Sequence, residues 1–167
     1  MPSGFHCQTC GQYHDHVPMS FGAEGPVYYL AMSEQERSER CEHSTDLCVI
    51  DQQHYFIRGR LELPIMGSDK AFIWGVWCSL SEESFKQTIL RWDATGREQD
   101  DPMFGWLSTK LPAYPETLNL KTIVHPQPPG DRPLVILEET DHPLSIEQRE
   151  GITMDRVQEI AEAVLHG

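Results

Sequence analysis

One uncharged stretch constrains the fold more than any other part of the chain. Residues Ala71 to Phe85 read A-F-I-W-G-V-W-C-S-L-S-E-E-S-F, so ten residues without charge lead into the start of a helix. Apolar side chains fall on both alternating faces, which is typical of a central strand that is buried on both sides. Ser81 then caps a helix, and Glu82 and Glu83 fall in its first turn, where the helix dipole favours carboxylates. We therefore expect a sheet built around this strand and covered by the helix that follows it.

Other segments predict the neighbours of this strand. Asp46–Asp51 is a short apolar run, and His54–Leu63 alternates over the length of a half-buried strand. Together with Ala71–Ser79 they predict an antiparallel meander. Further along, Thr117–Val124 and Leu134–Glu138 predict a second hairpin, because a proline-rich turn separates them.

Two main helices complete the predicted fold, one over residues 82–93 and one over residues 154–166, each with an apolar stripe at helical spacing. We predict an α+β fold, with an antiparallel sheet of about five strands packed with these two helices and a small N-terminal Cys/His knuckle. Residues 1–16 would form the knuckle, and residues 17–167 a single α+β domain. A chain of 167 residues is long enough for one such core.

The N-terminal segment contains a candidate metal-binding motif. Cys7 and Cys10 form a C-x-x-C that Gly11 follows, and two thiolates at this spacing can hold one tetrahedral zinc ion. The alternatives are a redox dithiol, which lacks its usual flanking strand and helix here, and a pair that binds nothing. A bound zinc would be structural, because so polar a segment has little core of its own. Candidates for the remaining ligands are His14, His16, Cys41 and Cys48.

The charge of the chain narrows the classes of partner. The formal net charge is −13, and no basic stripe offsets it, so we expect neither nucleic acid nor anionic membrane as a partner. A basic protein partner would fit such a surface, although acidity also serves solubility alone. No apolar run reaches the roughly 18 residues of a membrane span, and the N-terminus does not resemble a secretory signal. We therefore expect a cytoplasmic protein.

The usual catalytic signatures are missing, and Asp141 with His142 is the best remaining candidate for a catalytic site. A histidine beside a carboxylate, after the end of a strand, can act as a general base. The alternative is that both side chains bond the nearby backbone and shape the turn. A small hydrolase-like enzyme would use this pair next to an aromatic cleft. We favour a non-catalytic protein- or ligand-binding domain.

Aromatic side chains are the first candidates for binding a ligand. Phe104, Trp106 and Tyr114 fall in one part of the chain, and together they would line an apolar pocket. The alternative for each of them is packing in the core, since aromatic rings dominate core packing.

Arg58 is the remaining candidate for ligand binding. It shares one face of the predicted 54–63 strand with Arg60, and two neighbouring cations in an acidic protein need partners. Either Glu62 and Asp69 pair with them, or an anionic ligand does.

Eight short motifs together resemble a bacterial family of uncharacterised proteins, domain of unknown function 2199. The motifs are C-x-x-C-G at Cys7–Gly11, D-L-C-V-I-D at Asp46–Asp51, F-I-R-G at Phe56–Gly59, W-G-V-W at Trp74–Trp77, F-G-W-L at Phe104–Leu107, T-L-N-L-K at Thr117–Lys121, P-P-G-x-R-P at Pro128–Pro133 and D-H-P-L at Asp141–Leu144. The resemblance implies no activity, substrate or catalytic residue. The family pattern includes Cys7, Cys10, His14 and Cys48, which favours the zinc interpretation, and we predict these four residues as the ligands.

Overall fold

The computed structural model describes residues 5–7, 13–14 and 17–166. This part of the chain contains ten strands and five α-helices. The strands are β1 (Phe5–His6), β2 (Tyr13–His14), β3 (Ser20–Gly22), β4 (Cys41–His43), β5 (Leu47–Ile50), β6 (His54–Pro64), β7 (Ala71–Leu80), β8 (Met103–Leu107), β9 (Lys121–His125) and β10 (Leu134–Leu137). The helices are α1 (Val27–Leu30), α2 (Glu34–Arg40), α3 (Glu82–Leu90), α4 (Pro143–Glu150) and α5 (Met154–His166), with a short 3₁₀ turn at Arg97–Gln99.

Five of the strands close into a barrel. Strands β6 to β10 pair antiparallel in chain order, and β10 then returns to β6 in parallel, with Leu134 opposite Arg60. Gly59 permits this closure, because a Cβ atom there would lie 2.6 Å from a methyl group of Val135. The predicted antiparallel sheet of about five strands is corrected accordingly: the sheet is mixed, and it closes on itself.

Further strands extend the barrel. The predicted meander is present, since β5, β6 and β7 pair antiparallel in that order. β4 adds to β5, and β3 lies parallel to β7. Among the described strands, β1 and β2 pair only with each other. The predicted N-terminal knuckle falls largely on residues 8–12 and 15–16, outside the described residues.

The long strand β7 is buried on both faces, as its sequence predicts. Trp74 belongs to the main core together with the inward residues of β6. Trp77 points to the other face and packs with Cys48 and Phe56 in a second, smaller apolar cluster. Helix α3 begins where predicted, since the Ser81 hydroxyl accepts a hydrogen bond from the Ser84 amide at 3.1 Å.

The helices agree with the sequence more closely than the second hairpin does. α5 matches the predicted 154–166 helix, and α3 ends at Leu90 rather than at residue 93. Within the described residues, no helix combines the length and the apolar character needed to span a bilayer. The predicted strand Thr117–Val124 is wrong in its first half, because β9 begins only at Lys121. The Thr117 hydroxyl instead donates to the Thr109 carbonyl at 2.8 Å in a buried turn, and Asn119 has a φ of +66°.

Candidate functional site

A cavity of about 860 Å³ lies between β6, the end of α3 and the connection from β9 to β10. Its walls contain an unusual share of the positive charge of the molecule. Five of the 13 lysines and arginines line it, although the chain carries a net charge of −13. These residues are Arg58, Arg60, Arg91, Arg97 and Arg132. Arginine is the side chain best suited to planar, bidentate recognition of carboxylate and phosphate groups.

The local sequence of β6 explains how two of these arginines reach the cavity. Residues two apart on a strand share a face, so Arg58 and Arg60 lie together while Leu61 points into the barrel core. Two glycines leave room for the Arg58 side chain. Gly22 and Gly75 lie opposite each other on β3 and β7, and a Cβ atom at Gly22 would come within 3.0 Å of a terminal nitrogen of Arg58.

Arg91 and Arg132 are each paired with a carboxylate at short distance. Arg91 forms a bidentate pair with Asp100, with both nitrogen–oxygen distances 2.9 Å. This pairing holds the pKa of Asp100 below its usual range. Arg132 donates from its Nε to the Asp46 carboxylate at 2.6 Å. These two arginines therefore give little free positive charge to the cavity.

Arg97 is held by backbone carbonyls and by a ring. It donates to the carbonyls of Trp92 and Gln127 at 2.6 Å each and to that of Asp131 at 2.9 Å. Its guanidinium group also lies 5.5 Å from the centre of the Trp92 ring. Arg97 thus ties the end of α3 to the β9–β10 connection, and its main contribution to the cavity is to shape this wall.

Arg58 and Arg60 have donor capacity left over. The Nε atom of each is buried and has no hydrogen-bond partner among the described residues. Arg60 pairs with Glu62 through another nitrogen at 3.3 Å, as predicted from the sequence. Arg58 forms no salt bridge within the described part of the chain, and one terminal nitrogen reaches only the Thr45 carbonyl at 3.5 Å.

The surroundings of Arg58 disfavour its charge. Burial lowers the pKa of the Arg58 guanidinium, and the nearby charge of Arg132 lowers it further. A partly buried cation with an unused donor is stabilised when an anion binds beside it. Arg58 and Arg60 are therefore the two cavity residues with the most donor capacity left to bind an anionic ligand.

The other predicted ligand-binding residues do not join this cavity. Phe104 and Trp106 lie on the outer face of β8, where their rings meet edge to face at 5.0 Å. Tyr114 is half-buried on another side of the molecule, and its hydroxyl donates to Glu147 at 2.6 Å. The structure thus separates the four predicted residues into three places, and only Arg58 lies in the cavity.

The candidate catalytic pair occupies the start of α4. His142 caps this helix, because its Nδ1 atom accepts a hydrogen bond from the Leu144 amide at 3.1 Å. The Nε2 atom therefore carries the proton and donates to the Glu116 carbonyl at 3.0 Å. Both ring nitrogens are engaged with backbone groups, which favours the turn-shaping interpretation. Asp141 is exposed and forms no ion pair with the described residues.

The predicted zinc ligands can be placed only in part. Cys7 is buried in the main core, whereas Cys48 is buried in the second cluster. Burial raises the pKa of the Cys48 thiol to about 12, and the neighbouring Cys41 contributes to this shift. Cys10 and the side chain of His14 lie outside the described residues. Among residues 5–7, 13–14 and 17–166, no three histidine, cysteine or acidic side chains are grouped as metal ligands would be.

Sequence reasoning missed three of the five cavity arginines, Arg91, Arg97 and Arg132. Only Arg132 carried a signal, since it belongs to the P-P-G-x-R-P motif that connects β9 to β10. Arg91 and Arg97 follow α3 in a charged segment and reach the cavity only through the folded arrangement.

Comparison with known proteins places the chain in a family. The model of the family described as uncharacterized protein conserved in bacteria (DUF2199) matches residues 6–152, so the chain belongs to this family, as its motifs predicted. No curated protein and no solved structure shows significant similarity to the chain.

Proposed function

We propose that this member of the DUF2199 family is a binding protein for a small anionic ligand, which carries carboxylate or phosphate groups and occupies the arginine-lined cavity. The observation that carries the proposal is that the Nε–H groups of Arg58 and Arg60 are buried and find no hydrogen-bond partner in the described part of the chain. Buried polar groups in folded proteins nearly always have a partner, so two such donors beside one cavity point to a ligand that supplies the acceptors.

The spacing of the two arginines favours a ligand with more than one anionic oxygen. Neighbours at positions i and i+2 of a strand are roughly 7 Å apart at their Cα atoms. A dicarboxylate or a phosphate can accept from both side chains at once. Each charge-assisted hydrogen bond contributes about 1.5–3 kcal/mol, so two of them correspond to dissociation constants from several millimolar down to about 50 μM.

The proposal is tested by isothermal titration calorimetry with inorganic phosphate and with succinate, each up to about 10 mM. We expect saturable binding of at least one of the two anions. Arg58→Gln should weaken it by about 10- to 100-fold, which is the loss expected for one charge-assisted hydrogen bond.

Arg40→Gln is the matched control. It removes the same charge from an exposed arginine of α2 that pairs with Asp51, outside the cavity. The control should bind the anion as the wild type does, and circular dichroism should show that both variants are folded. Absence of anion binding by the wild type, or equal affinity of Arg58→Gln and wild type, would overturn the proposal.

A further inference from the structure

The outer face of β8, β9 and β10 exposes large apolar side chains in an ordered arrangement. Phe104, Ile123 and Ile136 lie directly opposite one another on the three strands, which makes one apolar row across the face. Trp106 adds to this row from the next outward position of β8. The exposed fractions of these four side chains lie between 39% and 46%. A contiguous apolar surface of this kind marks a site of interaction more often than scattered exposed residues do.

A pair of opposite charges lies beside the apolar row. Lys121 on β9 is opposite Trp106 in the register of β8 and β9. Glu138 is opposite Lys121 on the other side, because its amide donates to the Lys121 carbonyl at 2.9 Å. Both side chains are exposed, and neither forms an ion pair with a described residue, with each other or otherwise. The face therefore presents one free positive and one free negative charge, on neighbouring strands.

We infer that this face binds the same face of a second copy of the chain. A two-fold axis that runs parallel to the strands, between β9 and β10, exchanges the positions of these two strands. It places Lys121 of each copy against Glu138 of the other, and Ile123 against Ile136. Self-complementarity of this kind is what a symmetric dimer interface requires.

The charges of this face also argue against a basic protein as its partner. A basic protein partner would suit the net charge of −13. At this face, however, the positive charge of Lys121 lies beside the negative charge of Glu138, so a basic partner would gain one attraction and one repulsion and no net electrostatic benefit. A second copy instead meets each charge with its opposite.

The size of the apolar row sets the strength of the dimer. Four half-exposed side chains of this size offer at most on the order of 300 Å² of apolar surface, since Phe104 and Trp106 on β8 lie to one side of the axis, whereas a standard stable interface buries about 800 Å² per partner. Convex barrel faces also meet only along a strip. We therefore expect a dissociation constant in the micromolar range, of about 1–100 μM.

Sedimentation velocity over about 1–300 μM tests the inference, since this range brackets the expected dissociation constant. The wild type should pass from monomer to dimer. Lys121→Glu and Glu138→Lys should each weaken the dimer by about tenfold or more, because each variant juxtaposes like charges twice. An equimolar mixture of the two variants should dimerise again, since every introduced charge then faces an opposite charge of the other variant. The double variant Lys121→Glu/Glu138→Lys should do so alone.

Two apolar substitutions complete the test. Ile123→Asp should abolish dimerisation, whereas Leu90→Asp should leave it unchanged, because Leu90 is 80% exposed on α3 and outside this face. A wild type that stays monomeric throughout, or a dimer that survives Ile123→Asp, overturns the inference. So does a mixture of the two charge variants that remains monomeric. A monomer that binds a basic polypeptide more tightly after Lys121→Glu would assign the face to the other occupant.

Discussion

The hydroxyl group of Tyr114 is the centre of a polar network that joins the barrel to the C-terminal helices. It donates to one carboxylate oxygen of Glu147 at 2.6 Å and accepts from the indole nitrogen of Trp74 at 3.4 Å. The other carboxylate oxygen of Glu147 accepts from Arg156 at 2.8 Å. The side chains of Glu147 and Arg156 are only 18% and 24% exposed, so solvent screens this network little. Tyr114→Phe removes the hydroxyl and leaves the ring in place.

The expected loss of stability follows from these contacts. A hydrogen bond to an ionised acceptor contributes about 1.5–3 kcal/mol, and the loss of the acceptor for Trp74 adds about 1 kcal/mol. Glu147 keeps its ion pair with Arg156 in the variant, so the loss of stability should not exceed the sum of these two contributions. We therefore expect the free energy of unfolding to fall by about 2–4 kcal/mol, a large part of the typical stability of a domain. At about 2–4 °C per kcal/mol for a chain of this size, the melting temperature should drop by about 4–16 °C.

Urea unfolding followed by tryptophan fluorescence measures this loss. Tyr28→Phe is the matched control, because Tyr28 is 43% exposed, and we expect its unfolding free energy to stay within about 0.5 kcal/mol of the wild type. A double-mutant cycle of Tyr114→Phe with Glu147→Gln should show a coupling of about 1–2 kcal/mol. A loss below about 0.5 kcal/mol for Tyr114→Phe, or strictly additive effects in the cycle, would refute the reasoning.

Three further measurements test separate features of the molecule. Burial and the hydrogen bond to Glu147 raise the pKa of Tyr114 in the folded protein, so tyrosinate forms at lower pH in the unfolded chain. The urea midpoint should therefore fall as the pH rises above about 10. A midpoint that does not change from about pH 9 to 11 would contradict this prediction. Ala113 has a φ of +74°, so Ala113→Gly should raise the unfolding free energy by about 1 kcal/mol, and a lower urea midpoint would show that the strain argument fails. Metal analysis of the purified protein should find about one equivalent of zinc, and the variants Cys7→Ser and Cys10→Ser should lose it. A zinc content below about 0.2 equivalents in the wild type excludes the site. Zinc that is retained in Cys48→Ser excludes Cys48 as a ligand.

The local parts of the fold could be predicted from the sequence, and the long-range ones could not. Strand β7 was predictable because apolar residues occupy both of its faces, and Trp74 and Trp77 do lie in two different clusters. The parallel pairing of β10 with β6 depends on how closely Val135 approaches Gly59, and no periodicity within either strand reports that contact. Residues 117–120 alternate as a strand does, but the Thr117 hydroxyl bonds to the backbone of Thr109 and Leu111, earlier in the same connection, and these bonds hold the segment in a turn.

The candidate site shows the same division. Arg58 was predictable as a residue of the candidate site because it shares a strand face with Arg60 in an acidic chain. Arg91 and Arg97 come from other elements, and only folding brings them to the same cavity. Adjacency along the chain also suggested that Tyr114 works with the β8 aromatics. The structure instead places its hydroxyl against Glu147.

The parallel pairing of β6 with β10, which we call the seam of the barrel, affects the order in which the barrel forms. The residues it pairs, Arg60 and Leu134, are 74 positions apart, whereas the antiparallel pairings of the barrel join strands that follow one another. Closing so long a loop costs the most chain entropy, so we expect the seam to form last and to open first. Arg58, Arg60 and Pro133 line the cavity from the two sides of this seam. An anion bound there would contact residues on both sides of the seam and stabilise the pairing that forms last. The Arg60 N–H donates across the seam to the Pro133 carbonyl at 2.9 Å, so hydrogen exchange of this amide should become slower when the anion binds.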